Sequence, residues 1–156
     1  MTLNQGTKAP NFTLLNTKSE PVSLESMRGK KVVLAFFPAA FTGVCTKEMC
    51  SFRDSLASLN NMNAQVVGVS VDNPFTNAAF AEKNNLNFPV LSDYAREATK
   101  AYGVELPDFA GMKGYTASKR VVFVIDAEGT IKFTWEGPNP GVEPDYAAVK
   151  TAVEKM

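Results

Sequence analysis

One stretch of this sequence determines how the rest is interpreted: Val32-Val33-Leu34-Ala35-Phe36-Phe37-Pro38-Ala39-Ala40-Phe41-Thr42-Gly43-Val44-Cys45-Thr46-Lys47-Glu48-Met49-Cys50. Residues 32–37 are continuously apolar, which is typical of a strand covered on both faces. Pro38 ends that strand, and Thr42 is a suitable N-cap for a helix that carries Cys45 near its start. The dipole at a helix N-terminus favours the thiolate, which is the reactive form of cysteine. The stretch therefore predicts a reactive thiol at a strand-to-helix junction.

Strands and helices alternate along the remainder of the chain. The predicted strands lie within residues 6–15, 20–24, 32–37, 65–72, 88–91, 121–126 and 130–135. The predicted helices are residues 42–59, 74–84, 96–102 and 145–155. In the first of these helices an apolar stripe recurs at helical spacing and predicts its buried side: Met49, Phe52, Leu56 and Leu59. Residues 104–118 contain Pro107, Gly111 and Gly114 and show no clear period, so they are predicted to form a loop.

This order of elements predicts a single domain, residues 1–156, of the α/β class. A strand that is followed by a helix and a second buried strand requires a right-handed crossover and parallel pairing, whereas the final hairpin is antiparallel. The predicted fold is thioredoxin-like: a mixed central sheet with helices on both faces and an N-terminal hairpin extension. Strands 32–37 and 121–126 are neighbours in that fold, so Arg120 is expected to lie beside the loop that carries Cys45.

Composition and charge exclude several classes of function. The chain has 156 residues, of which 45% are hydrophobic and 21% charged, as in ordinary globular domains. Lys+Arg and Asp+Glu each number 16, so no basic surplus indicates nucleic acid or an anionic membrane surface. No apolar run reaches the length of a membrane span, and residues 1–8 lack the apolar stretch of a signal peptide. These features predict an intracellular, cytoplasmic protein.

The numbers of cysteines and histidines narrow the chemistry further. Two cysteines are too few for a disulfide scaffold, and in a reducing compartment a close pair is more often catalytic or metal-binding than structural. The chain has no histidine, which removes the Ser-His-Asp and Cys-His routes to an activated nucleophile. It also leaves Cys45 and Cys50 without the further ligands of a tetrahedral zinc site, so no metal is expected.

Two predicted neighbours of Cys45 suit it to attack a peroxide. Arg120 would add a fixed positive charge beside the thiolate. Thr42, three residues before the cysteine, could offer its hydroxyl to the thiolate or to a substrate oxygen. Such donors would stabilise the charge that grows on the departing oxygen as the O–O bond breaks, and the product would be a sulfenic acid on Cys45. The competing interpretation, an ordinary buried cysteine at a helix start, is disfavoured because Pro38 and Thr42 occur in the same stretch.

Cys50 lies five residues after Cys45. On a regular helix their Cα atoms would be about 8.6 Å apart and on different faces, whereas a disulfide requires roughly 4.4–6.8 Å. If Cys50 resolves the sulfenic acid, the first turns of the helix must therefore unwind, around Gly43. The alternative is that Cys50 is a core thiol and that a thiol of another molecule resolves Cys45.

One octet resembles the P-x-x-x-T-x-x-C signature of the peroxiredoxins, the AhpC/TSA-type thiol peroxidases: Pro38-Ala39-Ala40-Phe41-Thr42-Gly43-Val44-Cys45. The resemblance covers residues 6–150 and includes Gly6-x-x-Ala9-Pro10-x-Phe12-x-Leu14, Ser70-Val71-Asp72, Phe88-Pro89-Val90-Leu91-Ser92-Asp93, Ala101-Tyr102-Gly103-Val104 and Arg120-x-x-Phe123-x-x-Asp126. A second cysteine at Cys50 is similar to the bacterioferritin-comigratory/PrxQ branch of the family. The segment 36–43 is also similar to the AhpE branch, whose members typically lack that cysteine.

The resemblance implies a set of site residues, a substrate and a reductant. The residues are Cys45 as the peroxidatic and Cys50 as the resolving cysteine, Thr42 and Arg120 as ligands of peroxide and thiolate, Pro38 as a shield against over-oxidation, and Glu48 as a group that orients Arg120. A solvated helix charge is a nearly equal interpretation of Glu48. The implied substrates are hydrogen peroxide and organic hydroperoxides, and the implied reductant is a thioredoxin-like or other dithiol donor. The resemblance implies no bound cofactor and either a monomer or a homodimer.

Other functions compete with this one. A thioredoxin-type disulfide reductase shares the fold but uses C-x-x-C, whereas this chain has four residues between its cysteines. A non-catalytic binding or holdase module is disfavoured because Pro38, Thr42, Cys45 and Arg120 are all present. A one-cysteine peroxidase resolved by an external thiol remains the main alternative within the family.

Overall fold

The fold is built on a central sheet, and the computed structural model describes residues 2–156. The strands are β1 (Thr13–Leu15), β2 (Pro21–Ser23), β3 (Lys31–Phe36), β4 (Ala64–Ser70), β5 (Val90–Ser92), β6 (Glu105–Leu106), β7 (Ala117–Ser118), β8 (Val121–Ile125) and β9 (Ile131–Glu136). The helices are α1 (Gly43–Asn61), α2 (Pro74–Lys83), α3 (Glu97–Ala101) and α4 (Tyr146–Glu154). Short 3-10 turns lie at Glu25–Met27 and Phe109–Gly111.

Seven strands form the central sheet in the order β2-β1-β5-β4-β3-β8-β9. Strand β3 pairs in parallel with β4, which pairs in parallel with β5, as the crossovers through α1 and α2 require. Strands β8 and β9 continue the sheet in antiparallel fashion, with Phe36 of β3 opposite Val121 of β8. The β1–β2 hairpin forms the opposite edge of the sheet.

Strand β3 lies at the centre of the core and is buried on both faces. Its side chains alternate between two apolar clusters, because successive residues of a strand point to opposite faces. Val32, Leu34 and Phe36 belong to one cluster, with Tyr102 and the N-terminal segment. Val33 and Ala35, with Phe37 just after the strand, belong to the other cluster, which contains the apolar sides of α1 and α4. Residues 32–37 are continuously apolar because other parts of the chain pack on both faces of β3.

Helix α1 begins and ends where its flanking residues predict. Thr42 occupies the N-cap position with an extended backbone, and Asn63 adopts a left-handed φ of 58° just beyond the last turn. The residues predicted to form its apolar stripe are buried: Met49, Phe52, Leu56 and Leu59. The stripe fixes the rotation of the helix about its axis, and therefore the direction in which Cys45 and Glu48 point.

The prediction for residues 104–118 was wrong in part. This segment contains β6 and β7, which pair with each other as a separate two-stranded sheet, and only the stretch between them is a loop with a 3-10 turn. Strands of two residues are too short to produce a period in the sequence, and their pairing depends on the fold around them. The other predicted strands and helices are present, with ends that differ by a few residues.

None of the helices described for residues 2–156 is long and apolar enough to cross a membrane.

Candidate active site

The loop from Pro38 to Thr42 leaves the carboxyl end of β3 and is fixed from the neighbouring strand. The backbone N–H of Ala40 donates a hydrogen bond to Asp72 Oδ2 at 2.8 Å, just beyond β4. The Ser70 hydroxyl donates to the same oxygen, also at 2.8 Å. Phe41 adopts a left-handed φ of 67° and packs its ring on Phe80, with centroids 5.4 Å apart. A bulky residue holds this conformation only where its surroundings impose it, so the loop geometry is set by tertiary contacts.

Cys45 lies in the first turn of α1 and its side chain is fully buried. Arg120 Nη2 lies 3.2 Å from Cys45 Sγ, within hydrogen-bond distance. Residue 120 immediately precedes β8, which pairs with β3, so the sheet itself brings the guanidinium to the thiol. Arg120 and the N-terminus of α1 thus place positive electrostatic potential at the Cys45 sulfur.

Arg120 is held in place by three hydrogen bonds besides the contact with Cys45 Sγ. Its Nε and Nη2 donate to the backbone oxygen of Pro140 at 3.0 and 2.8 Å, and its Nη1 lies 3.3 Å from Glu48 Oε1. The side chains of Arg120 and Glu48 are 2% and 0% exposed, so this ion pair is shielded from solvent. A planar guanidinium presents five N–H donors in a fixed fork, so it can reach acceptors on several sides, whereas an ammonium group presents three donors from a single nitrogen.

Glu48 is buried and incompletely hydrogen-bonded, which corrects the interpretation of this residue as a solvated helix charge. Its Oε2 atom has no hydrogen-bond partner among residues 2–156. Burial raises the pKa of the Glu48 carboxyl to about 8, and the nearby Arg120 guanidinium opposes that shift. A neutral Glu48 leaves the positive charge of Arg120 uncompensated by this carboxyl and therefore available to the sulfur of Cys45.

We expect Glu48 to make folding stability depend on pH. The carboxyl pKa is about 8 in the folded chain and near 4.5 when exposed, so the folded state binds an extra proton between these values. Stability should therefore fall as pH rises from about 4.5 to 8, by at most about 1.4 kcal/mol per pH unit from this group. Urea unfolding of the reduced protein from pH 5 to 8.5, compared with Glu48→Gln, measures the effect. The amide of Glu48→Gln keeps an acceptor for Arg120 but does not titrate. If the free energy of unfolding changed with pH equally in the two proteins, the assignment of this pH dependence to Glu48 would be contradicted.

Thr42 and Pro38 lie in the same loop, although neither contacts the thiol through a hydrogen bond. The Thr42 hydroxyl donates to the backbone oxygen of Ala39 at 2.8 Å, and no hydrogen bond joins it to Cys45 within residues 2–156. That hydroxyl oxygen therefore retains its capacity to accept a hydrogen bond from the O–H of a bound hydroperoxide. Pro38 is buried and lies two residues after the end of β3, at the start of the loop that leads to α1 and Cys45.

Cys50 faces away from the group formed by Cys45, Glu48 and Arg120, which we call the Arg120 cluster. Both cysteines are free thiols, and α1 is continuous through them. The Cys50 Sγ atom lies 3.7 Å from Asn84 Oδ1, just beyond the last turn of α2. Cys45 and Cys50 thus point to different partners, as their spacing on a regular helix predicts.

Two groups of the site were not assigned a role from the sequence. The Pro140 carbonyl lies between β9 and α4, in the proline- and glycine-rich segment 137–144, and a backbone acceptor leaves no compositional signal. Asp72 belongs to the segment Ser70-Val71-Asp72, which contributed to the family resemblance without an implied function. Its position at the end of a buried strand was the available signal, since sites gather at the carboxyl ends of parallel strands.

A large groove elsewhere on the molecule does not belong to this site. It measures about 950 Å³ and lies at the opposite end of the sheet, where Lys31, Asp126 and Met156 contribute to its lining. Residues 2–156 contain no group of three or more side chains placed to hold a metal ion.

Comparison with known proteins agrees with this architecture. The sequence matches the AhpC/TSA family over residues 5–134. It is 39% identical over 135 residues to a protein of Coxiella burnetii named as a Bcp peroxiredoxin, covering 86% of this chain and 89% of that one. A Bcp peroxiredoxin of Haemophilus influenzae is 42% identical over 130 residues, or 83% of each chain. The crystal structure of peroxidoxin BcpB from Mycobacterium tuberculosis aligns with a TM-score of 0.85 at 28% identity, over 97% of both chains.

The sheet order and the buried cysteine–arginine contact define a class, the thiol-dependent oxidoreductases of thioredoxin-like fold. Within that class the chain belongs to the AhpC/TSA family; it is a peroxiredoxin and therefore a thiol peroxidase. These findings confirm the predicted fold, family and type of activity, and the named relatives belong to the bacterioferritin-comigratory branch.

Proposed function

We propose that Cys45 is the peroxidatic cysteine and that it reduces hydrogen peroxide and organic hydroperoxides. The observation that carries this assignment is the 3.2 Å contact between Arg120 Nη2 and Cys45 Sγ inside a buried site. The thiolate attacks the terminal oxygen of the hydroperoxide, the O–O bond breaks, and the alcohol or water leaves after it gains a proton. The sulfur retains one oxygen as a sulfenic acid, the first step of cysteine oxidation.

The surrounding residues stabilise the charge that moves during this step. Arg120 faces the sulfur and is positioned to contact the oxygen that develops negative charge, while Glu48 and the Pro140 carbonyl hold its guanidinium in place. The Thr42 hydroxyl oxygen accepts a hydrogen bond from the O–H of the hydroperoxide. Pro38 shields the sulfur and limits its further oxidation.

In the second step Cys50 resolves the sulfenic acid. Its thiol displaces the hydroxyl from sulfur, which releases water and forms a disulfide between Cys45 and Cys50. Because α1 is intact from Gly43 to Asn61, its first turns must unwind before the two sulfur atoms can meet. A thioredoxin-like or other dithiol donor then reduces the disulfide by thiol exchange.

A cytoplasmic location fits the close pair of free thiols, which a reducing compartment maintains. The named catalytic groups lie in one chain, so the mechanism is compatible with a monomer or a homodimer.

Intact mass after one equivalent of hydrogen peroxide tests the proposed chemistry. We expect the reduced protein to lose two hydrogen atoms, which corresponds to a disulfide between Cys45 and Cys50. The addition of one oxygen atom would instead indicate a stable sulfenic acid and an external resolving thiol. An unchanged mass would rule out Cys45 as the peroxidatic cysteine.

We expect Cys50→Ser to consume one equivalent of peroxide per chain and then to stop, because the sulfenic acid has no internal partner. The rate of that first turnover should stay within about two-fold of wild type, since Cys50 does not contact the Arg120 cluster. Stopped-flow measurement of the first turnover, followed by turnover with a thioredoxin system, measures both effects. Normal cycling of the variant would favour the alternative in which an outside thiol resolves Cys45.

A further inference from the structure

The end of α2 holds the turn of α1 that must move during resolution. Asn84 is the C-cap of α2, and its side-chain amide donates to Phe80 O at 2.9 Å. That bond orients Asn84 Oδ1 toward Cys50 Sγ, 3.7 Å away. The thiol is a weak donor, and the contact directs it away from Cys45.

Arg53 makes a second connection between the same turns. It follows Cys50 by three residues and therefore lies on the same side of α1. Arg53 Nη1 donates to the backbone oxygen of Asn84 at 2.6 Å, while its Nε pairs with Asp54 at 3.0 Å. A guanidinium bonded to a helix-terminal carbonyl satisfies one of the acceptors that every helix end leaves free.

We propose that Asn84 and Arg53 are positioning residues for the resolving step: together they hold Cys50 on α2 and set how often α1 unwinds to deliver it to Cys45. This inference rests on the proposed role of Cys50 as the resolving cysteine. We call the three residues Cys50, Arg53 and Asn84 the α1–α2 latch. Its contacts exist in the closed helix and must break when Cys50 moves, so they stabilise the closed state relative to the unwound one.

The latch also determines how the protein responds to excess peroxide, because two reactions compete for the Cys45 sulfenic acid. In one, the Cys50 thiol displaces the hydroxyl, and disulfide and water form. In the other, a second hydroperoxide oxidises the sulfenic acid to sulfinic acid and leaves as the alcohol or water. The peroxide concentration at which half of the chains reach sulfinic acid is therefore proportional to the rate of disulfide formation. A weaker latch makes the enzyme more resistant to over-oxidation.

Two variants each remove one of the two contacts of the latch. Asn84→Ala removes the acceptor of the Cys50 thiol but keeps the backbone oxygen that Arg53 uses, and Arg53→Met removes the guanidinium but keeps most of its apolar stem. We expect disulfide formation to be about two- to ten-fold faster in each variant, the range expected for the loss of one hydrogen bond. The half-point of sulfinic acid formation should shift to higher peroxide by the same factor. Oxidation of Cys45 in the first step should stay within about two-fold of wild type.

Asn63→Ala is the matched control at the other end of α1, where the Asn63 side chain donates to Gly29 O at 3.1 Å. It also removes an asparagine side-chain bond and should lower stability without an effect on the resolving rate. Rapid acid quench and intact mass, at graded peroxide, measure sulfenic acid, disulfide and sulfinic acid together.

The possible outcomes distinguish a failure of the latch proposal from a failure of the proposed resolving role of Cys50. If Asn84→Ala and Arg53→Met both formed the disulfide at the wild-type rate, the proposed role of the latch would be wrong. It would also be wrong if Asn63→Ala accelerated disulfide formation as much as the two latch variants do. If wild type itself forms no disulfide, the resolving role of Cys50 fails and the latch fails with it.

Discussion

Replacement of Cys45 by serine should reduce peroxide consumption to the background of the uncatalysed reaction. A hydroxyl is a far weaker nucleophile than a thiolate, and no other thiol among residues 2–156 contacts Arg120. We expect the rate constant for peroxide reduction to fall by at least about a thousand-fold, as in other enzymes that lose their nucleophile. Peroxide loss under single-turnover conditions, followed by competition with a second peroxidase, measures this directly.

The remaining thiol provides the control for this experiment. Cys45→Ser keeps Cys50, which lies against Asn84 and away from the arginine, whereas Cys50→Ser keeps Cys45 and should react once at a normal rate. The two variants have equal numbers of thiols, so a difference between them reports position and not thiol content. Comparable peroxide consumption by the two would contradict the assignment of Cys45.

Replacement of Arg120 by lysine should slow Cys45 oxidation by about a hundred-fold, although the positive charge is kept. The guanidinium contacts Cys45 Sγ, Glu48 Oε1 and the Pro140 carbonyl at the same time. A lysine ammonium cannot reproduce that planar set of donors, and removal of one fixed donor from a site of developing negative charge costs about 10²–10³ in rate. Stopped-flow rates for the first turnover, compared at equal peroxide, give the measurement.

A loss of activity in Arg120 variants could also arise from a damaged fold, and Glu48 offers a way to distinguish the two effects. Arg120→Met removes the donor from which Glu48 Oε1 accepts, and a buried polar group left without its partner costs about 1–3 kcal/mol. The double variant Arg120→Met/Glu48→Leu should recover much of that stability, because it leaves no buried carboxyl without a partner. It should not recover the rate. Recovery of both would show that Arg120 acts through the fold alone.

The Cys45 and Arg120 variants test the two partners of one electrostatic interaction, the sulfur and the guanidinium. In the proposed mechanism, Cys45 supplies the electrons that break the peroxide bond, and Arg120 supplies positive charge beside the sulfur and the reacting oxygen. Glu48 competes with the thiolate for the same guanidinium, but its burial favours the neutral acid. The site can thus hold a thiolate and a carboxyl side chain beside a single cation without a net negative charge in the core.

Much of the fold could be predicted because its signals are local. The apolar run of β3 predicted a strand covered on both faces, and the stripe that includes Phe52 and Leu56 predicted the buried side of α1. The pairing of β6 with β7 could not be predicted, because strands of two residues show no period. The signature from Pro38 to Cys45 likewise predicted a reactive thiol, since a strand end, an N-cap and a cysteine follow one another directly.

The sequence by itself determined the class of fold, the candidate nucleophile and the distance that separates Cys45 from Cys50 on a helix. Each of these follows from residues that are neighbours in the chain. Only the tertiary structure decided that Glu48 is buried and shares Arg120 with Cys45, and that Cys50 is held by Asn84. Arg120 lies 75 positions from Cys45 in the chain, and Asn84 lies 34 positions from Cys50. Contacts at such separations depend on how β8 packs beside β3 and α2 beside α1. This packing cannot be predicted from a local pattern of residues.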